Sequence, residues 1–313
     1  MKIVFFGTPE FAVPSLKILL GSEHEVIAVV TQPDRQSGRG RRFHLCPVKA
    51  VAEEAGIKVL QPLKVREQKF IDELKQLNPS VIVVVAYGQI LPPEIIHMPE
   101  FGCLNVHASL LPKYRGAAPI NKALIEGEEK TGVMTMLMDE GMDTGPLLLK
   151  EETKITREDT AGSLSEKLSE TGAARLILTL EGLEKGNLKP MPQEGEPSYA
   201  PLMKKSDGLI QWTLPAEEIC NFIRGMNPWP GAYGFIGEER FKILMAFPVE
   251  GGGGAGLIEN VTKDELLVAA GRGRISITEI QPSGKPVMEI RAFLQGRKLE
   301  KGMRFNSDDQ KFL

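Results

Sequence analysis

The run "VIVVV" at residues 81–85 constrains the fold more than any other feature of the chain. A strand with one wet face alternates apolar and polar side chains, and this run does not alternate. It suits a parallel strand covered on both faces, and parallel strands need long crossover connections, usually helices. The first half of the chain supplies them. "KIVFF" (2–6) and "EVIAVV" (25–30) read as strands. Thr8 is placed to N-cap a helix with Pro9 at its first position and an end near Gly21. Helical patterns follow around 47–55 and 66–77, the second with Phe70, Leu74 and Leu77 on one face. A further strand opens at Cys103, a helix lies near 118–126, and "GVMTMLM" (132–138) is a strand. "GPLLLKEETKI" (145–155) is expected to return antiparallel to it after a tight turn. This alternation implies an α/β fold with a doubly wound sheet.

A helix over 160–185, with Leu164, Leu168, Leu176, Leu180 and Leu183 at helical spacing, closes that region. Residues 188–206 are rich in Pro, Gly and polar side chains and read as an interdomain linker. From Asp207 the pattern changes to one helix (215–225) and short strands separated by turn signals: "AYGFI", "RFKILMAF", "GLIENV", "ELLVAA" and "RISITEI". These suggest a small β-barrel. The 313 residues therefore divide into a domain over 1–187, a linker over 188–206 and a barrel over 207–313. The glycines from Gly251 to Gly254 form a tip with no assigned chemistry.

Composition narrows the class. No apolar run approaches the roughly 18 residues of a membrane span. The short apolar run at the N-terminus gives way to Gly7-Thr8-Pro9, too early for a signal peptide, so no targeting is expected. Cys46, Cys103 and Cys220 are far apart and show no paired spacing, which argues for a reducing, cytoplasmic setting and against a disulfide framework or zinc site.

The residues that suggest chemistry begin at Asn105 and His107. Leu104 and Val106 face one side of a strand, so Asn105 and His107 face the other, at the end of that strand. Open α/β sheets bind ligands beyond the carboxyl ends of their strands. A polar, solvent-facing side would also account for the pair. His24, His44 and His97 read as structural or surface residues. "MDEGMDTGP" (138–146) then places Asp139 and Asp143 in a loop bracketed by Gly141 and Gly145. Either carboxylate brought near His107 would orient the ring and raise its pKa, although both also suit a turn. An amide, a protonated imidazole and a carboxylate match acyl transfer to an amine, in which donors stabilise the carbonyl oxygen and a base collects a proton. No G-x-S-x-G elbow is present, which favours direct transfer without an acyl-enzyme. "FFGTPEF" lacks the glycines of a dinucleotide fingerprint, so a nicotinamide enzyme is not expected.

Two regions are basic although the formal net charge is -3. Arg35, Arg39, Arg41 and Arg42 crowd a glycine-containing loop after the second strand, at the sheet edge expected to carry the site; phosphate contact is credible there. In the barrel, Arg272, Arg274, Lys285, Arg291, Arg297, Lys298, Lys301 and Arg304 outnumber Glu279, Glu289 and Glu300. Such a stripe suits a nucleic-acid backbone.

From end to end the chain resembles the methionyl-tRNA formyltransferase family. The matching segments include "FFGTPEFAVPSL", "TQPDRQSGRGRR", "CPVKAVA", "AYGQILP", "LNVHASLLPKYRGAAPI", "MDEGMDTGP", "SYAPLMKKSDGLIQW" and "NPWPGAYGF". The N-x-H-x-S-L-L-P core alone would suit several folate-dependent formyl enzymes; the basic "GRG" insertion and the "NPWPGAY" region narrow the likeness. The resemblance implies transfer of a formyl group from 10-formyltetrahydrofolate to the amino group of initiator methionyl-tRNA; a monomer is the default expectation, and no metal is expected. It also implies a Rossmann-like fold for the N-terminal domain and an OB-like fold for the C-terminal barrel. It implies catalytic roles for Asn105, His107 and Asp143, a folate segment at Ser109, Leu110, Leu111 and Pro112, and tRNA contact by Arg39 supported by Arg35, Arg41 and Arg42. The alternatives are a formyltransferase for a small-molecule amine, a formyltetrahydrofolate hydrolase and a non-catalytic tRNA binder. The first two have less use for the basic regions, and the third leaves Asn105, His107 and Asp143 unexplained.

Overall fold

The computed structural model describes residues 1–37, 42–44 and 46–306. They form two compact units. The first comprises 1–119, 130–154 and 165–200; the second comprises 120–129, 155–164 and 201–313.

In the first unit β1 (Lys2–Gly7), β2 (Glu25–Val30), β5 (Val59–Leu60), β6 (Val81–Val85) and β7 (Cys103–His107) pair in parallel, in the order β5-β2-β1-β6-β7. Between β2 and β5 lies a small antiparallel hairpin, β3 (Arg35–Ser37) with β4 (Arg42–His44). Val81 to Val85 are all buried in the middle of the sheet. Alternate residues Val4, Phe6, Ala28, Val30, Ile82 and Val84 share one core with Phe70, Ile71 and Leu74 of a crossover helix. The helices of this region are α1 (Val13–Leu20), α2 (Pro47–Glu54), α3 (Gln68–Leu77) and α4 (Pro93–Ile96).

Thr8 does not cap α1. Its hydroxyl donates to the Tyr87 carbonyl (3.3 Å) and accepts from the Gln32 N–H (3.1 Å), so it ties neighbouring strand ends together. The chain then makes a single 3₁₀ turn over Glu10–Ala12 before α1 begins.

Two further strands, β9 (Lys130–Leu137) and β10 (Leu147–Lys154), extend the sheet beyond β7 and make it mixed. β9 runs antiparallel to β7, and β10 returns antiparallel to β9 as the sequence suggests. The long helix α6 (Ala161–Glu184) covers the far face of this edge. A Cβ at Gly172 would come 2.8 Å from Val106 Cγ1, so glycine is what lets α6 lie this close to β7. Residues 188–200, part of the expected linker, belong to the first unit. β11 (Tyr199–Ala200) pairs in parallel with β8 (Arg115–Gly116) there.

In the second unit β12 (Ala232–Ile236), β13 (Glu239–Val249), β16 (Arg274–Pro282), β15 (Leu266–Ala269) and β14 (Ile258–Val261) form an antiparallel sheet in that order, with β17 (Met288–Glu289) on β16. α7 (Ala216–Met226) and α8 (Ile290–Gly296) contribute Ile219, Ile223 and Phe293 to its core, where Trp212 stacks on Phe305 at 5.0 Å. Earlier segments join this unit through α7: Asn121 of α5 (Pro119–Ile125) donates to the Gly225 carbonyl (2.8 Å), and Arg224 to that of Thr156 (2.8 Å). The fold is thus a mixed α/β unit followed by a smaller antiparallel β unit.

Candidate active site

Asn105 and His107 lie on one face of β7. Their cross-strand partners on β9 are Met136 and Met134. Directly opposed residues project to the same face, so the amide and imidazole sit beside two thioether side chains. Leu111 and Leu147 pack with these methionines into an apolar floor. His107 is consequently buried, with 6% of its side chain exposed.

One ring nitrogen of His107, Nε2, lies 3.2 Å from the Tyr114 carbonyl. A carbonyl only accepts, so the proton of the neutral ring is on Nε2, and Nδ1 presents a lone pair. That Nδ1 stands 3.6 Å from Asp143 Oδ2. Burial lowers the pKa of His107 below its ordinary value of 6.5, against the opposing pull of Asp143 and the Tyr114 carbonyl. The carboxylate pulls the pKa upward as expected, but desolvation among methionine and leucine side chains outweighs it and the net shift is downward. The resting imidazole is neutral.

Asp143 reaches this position by an unexpected route. Because β9 is antiparallel, its carboxyl end at Leu137 pairs with Leu104, at the start of β7 rather than beside His107. The 138–146 loop doubles back over the face carrying Asn105 and His107. Asp143 adopts a left-handed backbone, with φ +52°. Its Oδ2 accepts the Gly116 N–H at 2.8 Å, and its Oδ1 accepts from Asn105 Nδ2 at 3.4 Å. Gly116 itself has φ +116°, and a Cβ there would come 2.8 Å from the Ala200 carbonyl oxygen. Asp139 has a different job: its Oδ1 accepts from the Gly141 N–H (3.0 Å) and the Thr144 hydroxyl (2.6 Å), closing the turn. Spacing alone left the two aspartates undivided, while the resemblance pointed to Asp143; their hydrogen bonds differ accordingly.

The segment after β7 is partly internal. Ser109 is fully buried and donates to the Lys113 carbonyl at 2.6 Å, and Leu111 belongs to the apolar floor. Leu110 and Pro112 are half-buried. Of the loop arginines, Arg35 and Arg42 start the facing strands of the β3–β4 hairpin, which follows β2; Arg39 and Arg41 lie outside the described residues. β2 and β7 belong to the same parallel set, so the hairpin leaves from the sheet edge where His107 ends its strand. The C-terminal stripe is less basic than its own segment implies. Arg274 faces Glu259 (3.7 Å), Arg291 faces Asp264 (3.3 Å) and Arg297 pairs with Glu239, all acids from other parts of the β unit. Among the described residues, no cluster of three or more His, Cys, Asp or Glu side chains is arranged to hold a metal ion.

Residues 1–180 match the formyl transferase family, and residues 202–298 match the formyl transferase C-terminal domain. The methionyl-tRNA formyltransferase of Thermodesulfovibrio yellowstonii is 51% identical over 301 residues, 96% of this chain and 97% of that one. That of Caldanaerobacter subterraneus subsp. tengcongensis is 52% identical, covering 96% of this chain and 99% of its own. The chain belongs to the methionyl-tRNA formyltransferase family. Membership makes it a transferase. At the level of fold it is also similar to a solved sugar 3N-formyl transferase, WlaRD, determined in the presence of dTDP and 5-N-formyl-THF. That likeness has a TM-score of 0.68 at 20% identity and covers 91% of this chain and 99% of the other.

One contribution to this candidate site carries no signal in the sequence. Ser198 accepts the Tyr114 N–H on its hydroxyl (2.9 Å) and the Arg115 N–H on its carbonyl (2.8 Å). Residues 191–200 thereby hold the peptide units that supply the Tyr114 carbonyl to His107 and the Gly116 N–H to Asp143. Their Pro/Gly-rich composition mimics a linker, and no spacing rule marks them as part of a site.

Proposed function

We propose that the chain transfers the formyl group of 10-formyltetrahydrofolate to the α-amino group of methionyl initiator tRNA, with Asn105, His107 and Asp143 surrounding the reacting carbon. The observation that supports this reading most is the single cluster they form over an apolar floor. Nδ1 of His107 and the Asp143 carboxyl face each other, and Asn105 touches the same carboxyl.

Attack of the amine on the formyl carbon puts negative charge on the formyl oxygen. Asn105 has two amide protons; one points towards Asp143, which leaves the other to donate to that oxygen. The α-amino group needs little activation, since its free pKa is about 7.7–8.0. As the carbon–nitrogen bond forms, the amine gives up a proton. Neutral His107 accepts it on Nδ1, where Asp143 at 3.6 Å stabilises the resulting imidazolium. The bond from the formyl carbon to the folate nitrogen then breaks, and the same proton returns to that nitrogen. His107 is thus a relay that begins and ends neutral.

Leu110 and Pro112 offer apolar surface to the folate ring system, with Ser109 and Leu111 supporting them from within. Arg39, with Arg35, Arg41 and Arg42, supplies charge to the acceptor end of the tRNA. This reading places the enzyme in the cytoplasm as a monomer. Among the described residues no helix is long and apolar enough to cross a membrane.

The test is a formyl-transfer assay on methionyl initiator tRNA, methionyl elongator tRNA and free methionine with 10-formyltetrahydrofolate as donor. Strong preference for the initiator is expected. Comparable transfer to free methionine would sink the assignment of substrate.

A further inference from the structure

Gln193 lies far from Asp143 in sequence, yet its single side-chain amide holds two carbonyls of that residue's loop. Its Nε2 donates to the carbonyl of Asp143 itself (2.7 Å) and to that of Gly145 (2.9 Å). Its Oε1 accepts from Arg115 Nη2 at 2.6 Å. Chemistry fixes the orientation of this amide: two carbonyl oxygens require its NH₂ group, and a guanidinium requires its oxygen. Arg115 is the residue next to the Gly116 N–H that holds the Asp143 carboxyl.

We infer that Gln193 is a positioning residue for formyl transfer, acting through the Asp143 backbone to hold its carboxyl against Asn105 and His107. The inference rests on the role proposed above for Asp143. A left-handed backbone at a non-glycine residue, such as φ +52° at Asp143, persists only when its surroundings hold it. The side chain has one short anchor, the Gly116 N–H at 2.8 Å; its bond to Asn105 is long at 3.4 Å and the His107 ring stands 3.6 Å away, so its aim depends on the backbone beneath it as well. The two bonds from Gln193, at 2.7 and 2.9 Å, fix the backbone from the Asp143 carbonyl to Gly145, which limits how Asp143 can turn. Met191, two residues earlier, pairs antiparallel with Leu147 at the far end of the same loop, so Gln193 is itself anchored. Arg115 completes the frame by fixing the amide from behind. Gln193 touches neither reactant in this arrangement; it sets the geometry of a group that does.

The experiment is a double-mutant cycle on the full chain with Gln193→Leu and Asp143→Asn, read in single-turnover and steady-state formyl transfer. Gln193→Leu keeps the bulk and removes the donor. It should lower kcat by about 10- to 10²-fold while leaving KM for both substrates within about threefold. In the Asp143→Asn background it should add no more than about twofold, because its effect runs through that carboxyl. Gln193→Glu is the second variant, should the leucine prove poorly folded. It retains size and the Arg115 partner but sets oxygen against two carbonyl oxygens, and it should show the same loss of kcat. A wild-type kcat in folded Gln193→Leu or Gln193→Glu overturns the inference. So does an undiminished loss in the Asp143→Asn background, or a loss confined to KM. If Asp143→Asn alone retains full activity, the assignment of Asp143 has failed instead, and the two failures are distinguishable.

Discussion

Nδ1 of His107 and Oδ2 of Asp143 face each other across 3.6 Å, both as proton acceptors. With Nε2–H committed to the Tyr114 carbonyl, the resting pair has room for one more proton and holds it poorly, because burial disfavours the imidazolium. That is a suitable state for a relay. It takes a proton when a nitrogen offers one and does not retain it.

The same burial has a consequence for folding. The folded His107 pKa lies below 6.5, so as pH falls through about 6.5 the unfolded chain binds a proton that the folded chain resists. The stability tied to a neutral His107 is therefore complete above this pH and is lost below it, towards the folded pKa. Thermal melts of wild type and His107→Gln between about pH 7.5 and pH 5 test the sign. Wild type is expected to lose more Tm on acidification than the variant. His24, also lowered by burial and by the N-terminal amine, titrates in the same direction in both proteins and cancels in the comparison. Parallel curves would show that His107 is not buried neutral.

Gly145 tests the Asp143 loop from its other end. A Cβ there would lie 1.8 Å from the Leu137 carbonyl oxygen, a collision with backbone that no rotamer change relieves. At Gly141 the nearest atom, at 2.0 Å, is the Thr144 hydroxyl, which can rotate. Gly145→Ala is expected to cost about 1–3 kcal/mol, as overpacking does. For a protein this size that is a fall of several degrees at roughly 2–4 °C per kcal/mol. It should also lower kcat at least tenfold or so by displacing Asp143. Gly141→Ala should do much less of both. Equal behaviour of the two variants, by melting and by formyl-transfer kinetics, would mean that the loop is not held as described.

Much of the scaffold was legible because its signals are local. Val81 to Val85 announce a doubly covered strand by failing to alternate, and they sit at the centre of the sheet. What was not legible depends on residues distant in sequence. Alternation put His107 on a polar face; only the antiparallel register of β9 reveals Met134 and Met136 beside the pair, and with them the lowered pKa. Asp139 and Asp143 have the same turn chemistry as letters, and the Gly116 N–H that selects Asp143 comes from another loop. Thr8 looked like a helix cap because Tyr87, its partner, is far along the chain. Ser198 and Gln193 were hidden by composition, and the pairing of the arginine stripe by acids that lie elsewhere in the β unit.

The account depends most on the three side chains above the apolar floor acting on one carbon. Single-turnover formyl transfer to methionyl initiator tRNA by Asn105→Ala, His107→Ala and Asp143→Ala, with tRNA affinity measured alongside, tests it most directly. Each variant is expected to lose about 10²–10³-fold or more in rate, the usual cost of removing such a group, with tRNA affinity nearly unchanged. A near-normal rate in any one of them, or a loss of affinity that matches the loss of rate, would contradict the account.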